Sequence, residues 1–356
     1  MSTTLKELAE RLGVSTSTIS RALNEHDVRR ASTRARAERI RAMAAEIGYA
    51  PNSIARSLKT NHRRVVGLLL PDIMNDYYAT AATLVQETLA GEGLRALLCV
   101  THDDPSIEEA QRRMLREERV AGIVIVPSPR PGRDGQRRGW QESGDATPVV
   151  ELVRQSGAPA TDAVLVDDVD AALQGARHLT ALHHQRIAVL TGPPTLSTSR
   201  LRLTGYRQAL EEASLPVVPA LIRGGPYRRE TARQETLRLL DLPERERPTA
   251  MIATSNELVV GALQALTERG IEMPDDLSLV GFGNPAWFAL LRPALTTVAL
   301  PIAEMATTAV RLLLTRINSP RDDGASSAAP AVVSRYQAQL LVRASTRPIA
   351  PIAHDD

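Results

Sequence analysis

From Val65 onward, short apolar runs alternate with stretches of helical spacing, and this alternation limits the chain more than any other feature. Val65–Leu70 is six apolar or glycine residues closed by Pro71-Asp72, and Arg95–Val100, Val120–Val126 and Val149–Val153 are similar. Tyr77–Ala90 and Ile107–Glu118 read as helices between them. Unbroken apolar runs mark strands covered on both faces, and strand–helix–strand order marks a parallel sheet. A second set follows, with strands Val164–Val166, Arg186–Thr191, Pro216–Ile222, Ala250–Thr254 and Leu277–Phe282. Helices Val169–Leu182, Ser199–Ala213, Arg228–Leu240 and Asn256–Arg269 separate them. Large open sheets tend to split, so the pattern predicts an α/β core of two doubly wound halves. Ligands bind outside the carboxyl ends of such strands, and two facing halves would form a cleft there. Leu295–Ile317 and Ala331–Arg343 add a helix and a strand, but no third half.

The first fifty residues follow another rule. In Thr4–Asn24, Leu5, Leu8, Ala9 and Leu12 stand at i, i+3, i+4 and i+7, the stripe of a short amphipathic helix. Gly13 stops it. Ser15 can cap a second helix whose buried face is Ile19, Ala22 and Leu23. Two short helices joined by a tight turn suggest a helix-turn-helix, whose second helix enters the DNA major groove at its start. Thr16, Ser17 and Arg21 point outward there, and Ser15, Thr18 and Asn24 complete the candidate contact set. An ordinary helical hairpin with a solvated face has the same spacing. A third helix is predicted over about Thr33–Ile47, with Ile40, Met43, Ala44 and Ile47 inward and Gly48 as the stop. Arg29 and Arg30, in the loop Glu25–Ser32, could reach phosphates or stay solvated.

Charge sharpens this reading. Residues 1–64 hold 13 Lys and Arg against 6 Asp and Glu, while the remainder holds 30 against 35. A basic head on an acidic body is the footprint of a nucleic-acid-binding module attached to something else. The single cysteine, Cys99, allows no internal disulfide and suits a reducing compartment. The N-terminus has no apolar signal segment, and no run approaches the roughly 20 residues of a membrane span. These features read as a soluble cytoplasmic protein without a membrane partner.

Three segments together, TLKELAERLGVSTSTISRALN, GYAPNSIARSLKT and VVGLLLPDI, resemble the lac-repressor/galactose-repressor (LacI/GalR) family of bacterial transcription regulators. The resemblance runs to about Ser345. It implies a helix-turn-helix headpiece over 1–50, a hinge over 51–64 and a two-lobed core like that of periplasmic binding proteins over 65–345. Lobe 1 would comprise about 65–163 and 294–325, lobe 2 about 164–293 and 326–345, with a disordered tail over 346–356. The partners implied are pseudo-palindromic double-stranded operator DNA, a small effector and a second copy of the chain, with no cofactor or metal. The function implied is an effector-controlled repressor. In the hinge, Pro51 can open a helix too short to hold alone. The family orders this helix on DNA and pushes a leucine into the minor groove, which makes Asn52, Ala55 and Leu58 candidate DNA contacts.

The family pattern also yields effector candidates. Asn75, Tyr77 and Tyr78 follow the first strand, and tyrosine rings stack on flat ligands while offering a hydroxyl. Arg202 stands at the family's effector arginine, Arg200 beside it, and Tyr227 near another pocket loop. Where the family has carboxylates, this chain has Arg154, Ser255-Asn256 and Gly283-Asn284. Arginines kept while carboxylates are lost predict a less acidic cleft. Arg202 and Arg154 would then meet an anionic effector such as a sugar acid, organic acid or sugar phosphate, with Ser255, Asn256 and Asn284 on its hydroxyls.

Enzymatic signatures are weak. Gly281-Phe282-Gly283-Asn284-Pro285-Ala286 fits a loose dinucleotide pattern, but Pro285 and the following Trp287-Phe288 do not suggest a clean helix start, and no acidic residue stands at the ribose spacing. There is no phosphate loop and no G-x-S-x-G elbow. Adjacent His183 and His184 read as a solvated helix end rather than a metal pair, and Asp167-Asp168 as a helix start. The alternatives to a regulator are a small-molecule binding protein of the periplasmic type and an α/β enzyme. Gly-rich 127–146 reads as a loop.

Overall fold

The computed structural model describes residues 5–16, 18, 19, 22, 31–46, 64–129, 147–157, 161–319 and 330–349. They belong to two compact units, Met1–Arg63 and Arg64–Asp356.

In the first unit, α1 spans Leu5–Leu12 and α2 spans Ala31–Glu46. Between them Gly13 takes φ 60°, and Thr16, Thr18, Ile19 and Ala22 are helical. Leu8, Ala9, Ile19, Ala22, Ala37, Ile40 and Ala44 form one buried cluster, edged by Leu12, Val14 and Met43. Arg41 Nε donates to the Ala22 carbonyl at 3.1 Å and ties α2 to the middle segment. Leu23, Ile47 and Gly48 lie outside the described residues, as do the hinge over 51–63 and the loop over 130–146.

The second unit holds two six-stranded sheets. The first is built from β1 (Val65–Leu70), β2 (Arg95–Val100), β3 (Gly122–Ile125), β4 (Val149–Val153), β5 (Asp162–Val166) and β11 (Val333–Tyr336). Its order is β11-β5-β4-β3-β1-β2, parallel throughout. The second is built from β6 (Ile187–Thr191), β7 (Ile222–Gly224), β8 (Ala250–Ala253), β9 (Ser278–Phe282), β10 (Thr296–Ala299) and β12 (Gln339–Leu341), in the order β12-β10-β9-β8-β6-β7. Only β12 runs antiparallel there. The helices are α3 (Asp76–Gly91), α4 (Pro105–Glu117), α5 (Asp168–Ala181), α6 (Ser197–Glu212), α7 (Arg229–Leu240), α8 (Asn256–Arg269) and α9 (Ile302–Asn318). Strands β3, β5, β6, β8 and β9 are buried at every residue, as continuous apolar runs between helical layers require.

The chain passes between the lobes three times, after β5, after β10 and between β11 and β12. This corrects the expected lobe limits. Residues 164–166 belong to the first sheet, because β5 pairs with β4 and β11. Residues 296–299 belong to the second sheet, through β9. Residues 333–336 return to the first. Helix α9 packs on α3 and on strands β3, β4 and β5, burying Met305, Ala306, Ala309, Val310 and Leu313.

Other expectations shift for local reasons. The run Pro216–Ile222 is not a strand: Pro219–Leu221 forms a 3-10 turn and β7 begins at Ile222. Proline lacks the N–H that a sheet ladder needs. The dinucleotide-like stretch ends β9, takes φ 84° at Gly283 and enters a 3-10 turn at Ala286–Ala289 rather than an α-helix. His184 is buried rather than solvated, bonded to Thr249, Ser278 and the Arg347 carbonyl. The chain is packed beyond Ser345, as far as Ile349 N–H, which donates to the Leu182 carbonyl. Ser345 is fully buried and its hydroxyl donates to the Leu279 carbonyl.

Candidate functional site

In the first unit, Ser15 carries the turn into the second helical segment. Its Oγ accepts the Thr18 N–H at 3.2 Å and lies 2.8 Å from the Thr18 hydroxyl, the geometry of an N-cap. Ser15 and Thr16 are exposed and Thr18 is half-buried. Ser17, Arg21, Asn24, Asn52, Ala55 and Leu58 lie outside the described residues.

In the second unit a cavity of about 220 Å³ opens where strands of both lobes end. Asp72 and Asn75 follow β1, His102 and Asp103 follow β2, and Arg154 follows β4. From the other lobe come Tyr227 beyond β7, Ser255 and Asn256 beyond β8, and Phe282 and Gly283 at the end of β9. The carboxyl ends of the strands thus meet across the cleft, the place an open α/β sheet offers a ligand.

Asn75, Tyr77, Tyr78, Arg154, Arg202, Tyr227, Ser255 and Asn256 all line this cavity. Asn284 does not: it is exposed and accepts from Arg343 Nη2 at 2.8 Å, because the left-handed turn at Gly283 carries it away. Arg200 donates to the Pro194 carbonyl at 3.0 Å and is absent from the lining.

Hydrogen bonds between described residues cross the cleft. Asn256 Nδ2 donates to Asn75 Oδ1 at 3.0 Å, Trp287 Nε1 donates to Asp76 Oδ2 at 3.2 Å, and Gln155 N–H donates to Ser197 Oγ at 3.3 Å. Asn75 Oδ1 also accepts the Tyr77 N–H and so caps α3. The Tyr77 and Tyr78 rings meet edge to face, with centroids 5.6 Å apart. Burial holds the Tyr77 phenol well above its ordinary pKa and pushes that of Tyr78 up to about 12. Both rings therefore act as neutral O–H groups. The Tyr78 hydroxyl accepts from Arg154 Nη2 at 3.0 Å, whereas the buried Tyr77 hydroxyl has no hydrogen-bond partner among the described residues. The Tyr227 hydroxyl lies 3.1 Å from Ser199 Oγ, and a Cβ at Gly192 would overlap the Tyr227 ring.

Both arginines carry a carboxylate that the sequence reading did not assign to them. Arg154 Nη1 and Nη2 are directed at Asp103, with the Nη2 bond at 3.4 Å. Arg202 Nε donates to Asp168 Oδ1 at 2.7 Å and its Nη1 to the Thr254 carbonyl at 2.6 Å. The Arg202 guanidinium also lies over the Phe282 ring, 5.0 Å from the centroid. Burial opposes both arginine charges, but the neighbouring carboxylates and phenols more than offset it, and both pKa values lie above the ordinary one. Burial raises the Asp168 carboxyl, while Arg202 pulls it the other way. Each of these two arginines is thus paired with a carboxylate, which the expectation of an anionic effector did not take into account.

Asp103 could have been nominated. It stands in Thr101-His102-Asp103-Asp104-Pro105 directly after a predicted strand, where His102 and Asp103 take φ 54° and 58°. Asp168 was assigned only to a helix start. Yet Asp167 alone accepts the Asp170 N–H, which leaves the Asp168 carboxylate for Arg202.

The sequence matches two family descriptions: bacterial regulatory proteins, lacI family, over residues 4–52, and periplasmic binding protein-like domain over residues 176–346. The HTH-type transcriptional regulator DegA of Bacillus subtilis is 33% identical over 305 residues, covering 86% of this chain and 88% of the relative. The chain belongs to the lacI family of bacterial regulatory proteins. The HTH-type transcriptional repressor PurR of Edwardsiella ictaluri is 30% identical over 321 residues, covering 90% of this chain and 92% of the relative. Among solved structures, a putative ribose operon repressor from Burkholderia thailandensis superposes with a TM-score of 0.68 at 29% identity, over 79% of this chain and 99% of that one. The lac repressor dimer bound to operator and an anti-inducer superposes at 0.83 and 24% identity, over 98% and 100%, a likeness of fold. As a member of this lacI family, the chain is a transcriptional regulator with a helix-turn-helix DNA-binding domain and an effector-binding core, and not an enzyme. No described helix is long and apolar enough to cross a membrane.

Proposed function

We propose that this regulator is a cytoplasmic repressor that binds a pseudo-palindromic operator as a homodimer and leaves it when a small effector occupies the cleft between the lobes. The observation that carries the effector site is the cavity itself. It is lined from both lobes, and its buried Tyr77 hydroxyl has no partner among the described residues. A ligand that contacts both lobes favours their closure, and it shifts DNA affinity by its preference for one lobe arrangement.

Two-fold pairing is supported by the edge strand β2, where Leu97 and Leu98 are exposed. An apolar edge strand is a surface that proteins cover. It is also supported by the motif, since two headpieces on one dimer read two half-sites. The headpiece reading places Thr16, Ser17 and Arg21 toward base edges, and Asn52, Ala55 and Leu58 at the hinge. A gel shift on DNA upstream of its own gene and of the neighbouring genes, with and without a metabolite panel, tests the proposal. A specific shift relieved by one compound is expected. No specific shift on that DNA or on any selected site overturns it.

A further inference from the structure

We propose that Gln174 is a positioning residue for the regulatory response: it pins the third crossing between the lobes, so that a change in their arrangement bends the chain at Gln337. The pin rests on contacts within the core alone. Only its effect on operator binding rests on the reading of the cleft as the effector site.

The three crossings are short and are held differently. The first is Asp167, between β5 and α5. Its N–H donates to the Tyr336 carbonyl at 2.9 Å, and its carboxylate accepts the Asp170 N–H at 3.1 Å. The second is Leu300-Pro301, between β10 and α9, where the proline ring fixes φ. The third is Gln337-Ala338, between β11 and β12. On its lobe 1 side, Tyr336 pairs with Val166 of β5, and its hydroxyl lies 2.6 Å from Thr308 Oγ1 on α9. On its lobe 2 side, β12 is a three-residue strand at the sheet edge, paired with β10.

Helix α5 packs on β10 and β12, and its half-buried Gln174 meets that edge. Gln174 Nε2 donates to the Ala338 carbonyl at 3.1 Å, and its Oε1 accepts the Leu340 N–H at 3.1 Å. A carbonyl and the N–H two residues on are the groups that one residue of a parallel neighbouring strand engages. The side-chain amide thus stands in for a strand where the chain enters lobe 2. Nε2 also donates to Asp170 Oδ2 at 2.6 Å. Turning the amide over would set its oxygen against that carboxylate and against the Ala338 carbonyl, so the network fixes its direction. Tyr336 is then anchored on lobe 1 and Ala338 on lobe 2, and Gln337 is the residue between the anchors. Without the pin the bend spreads into β12, and the lobes lose a single pivot.

Hydrogen exchange read at single residues of the full chain tests this, with no DNA or ligand added. The Leu340 N–H reads the pin, and the Gln155 N–H, which donates across the cleft to Ser197 Oγ, reads the lobe arrangement. Gln174→Met keeps the length of the side chain and removes its amide. Leu340 should exchange about tenfold faster, the ratio that corresponds to ~1.4 kcal/mol and lies within the range of one hydrogen bond. Gln155 should exchange faster as well, with β3 and β8 unchanged. A faster Leu340 beside an unchanged Gln155 makes Gln174 a local contact and overturns the proposal. An unchanged Leu340 overturns it too, as does a rise shared equally by β3 and β8. Should Gln174→Met fail to fold, Asp170→Ala removes the bond that orients the amide. Both reporters should then move in the same direction, and an unmoved Gln155 again overturns the pin. Because neither effector nor operator enters, failure here leaves the reading of the cleft standing, and failure of that reading leaves the pin.

Discussion

Asn75 Oδ1 accepts two hydrogen bonds at 3.0 Å, one from the Tyr77 N–H that begins α3 and one from Asn256 Nδ2 across the cleft. A single amide oxygen caps the helix that presents both tyrosines and bridges the lobes. Asn75→Ala removes the cap and the bridge together, while Asn256→Ala removes only the bridge. The bridge should contribute about 0.5–1.5 kcal/mol, and the cap about 1 kcal/mol more. Urea denaturation of the two variants checks this. Equal losses would mean that the cap adds nothing at this position.

Two helix pairs in lobe 2 depend on glycines at their contacts. A Cβ at Gly205 would overlap the Val169 carbonyl oxygen between α6 and α5, and one at Gly261 would overlap the Arg229 carbonyl oxygen between α8 and α7. Backbone cannot yield as a side-chain tip does, so Gly205→Ala and Gly261→Ala should each cost ~1–3 kcal/mol. Gly91, near the end of α3, has nothing within 4 Å of such a Cβ. Gly91→Ala should be neutral or stabilising by up to ~1 kcal/mol. Thermal melts of the three variants give the comparison, and a Gly205 variant as stable as the Gly91 variant would refute the packing argument.

Val65–Leu70 was legible because burial on both faces leaves an unbroken apolar run, and Arg95–Val100 also stands where expected, although as an edge strand it is largely exposed. Asn256–Arg269 was legible as a helix with its own Ser255 cap and left-handed Gly270 stop. The lobe crossings were not. Nothing in the residues of β10 or β11 says which sheet each joins, because pairing is decided by partners far along the chain. The site was half legible for a related reason. Aromatic and amide residues at strand ends could be nominated singly, whereas the carboxylates that neutralise Arg154 and Arg202 lie 51 and 34 residues away from them. Charge in the cleft depends on those pairings, which a list of local residue types does not contain.

DNA recognition makes a separate set of expectations. Arg21→Ala should weaken operator binding by ~1–3 kcal/mol if the side chain makes a bidentate base contact. Leu58→Ala should weaken it while leaving the core melt unchanged, because an inserted apolar wedge supports a DNA bend of roughly 20–90°. Fluorescence anisotropy across a salt series reads the affinities, and a circular-permutation gel assay reads the bend. A Leu58 variant that binds and bends DNA like the wild type would leave this residue as plain linker.

Stability should depend on pH through His184. Its Nδ1 lies 2.9 Å from Thr249 Oγ1, and its Nε2 lies 3.0 Å from Ser278 Oγ and 3.1 Å from the Arg347 carbonyl oxygen. A carbonyl can only accept, so Nε2 carries the proton and the neutral Nδ1 accepts from the Thr249 hydroxyl. The neutral ring is satisfied on both sides and joins the packed C-terminal segment to the second sheet. Burial depresses the His184 pKa below its ordinary 6.5, with the Arg347 carbonyl opposing and the nearby His178 and Arg347 charges adding to the fall. Burial depresses His178 in the same direction. Below pH 6.5 the unfolded chain therefore binds more protons than the folded one. The stability tied to the neutral rings is complete above that pH and is lost as pH falls through the folded values, by at most ~1.4 kcal/mol per pH unit for each group. His184→Gln should lower stability at pH 7.5, where the neutral ring is in place, and flatten the acid slope relative to wild type. Urea midpoints between pH 7.5 and 5 measure both effects, and an equal slope in the variant would assign the acid sensitivity to other groups.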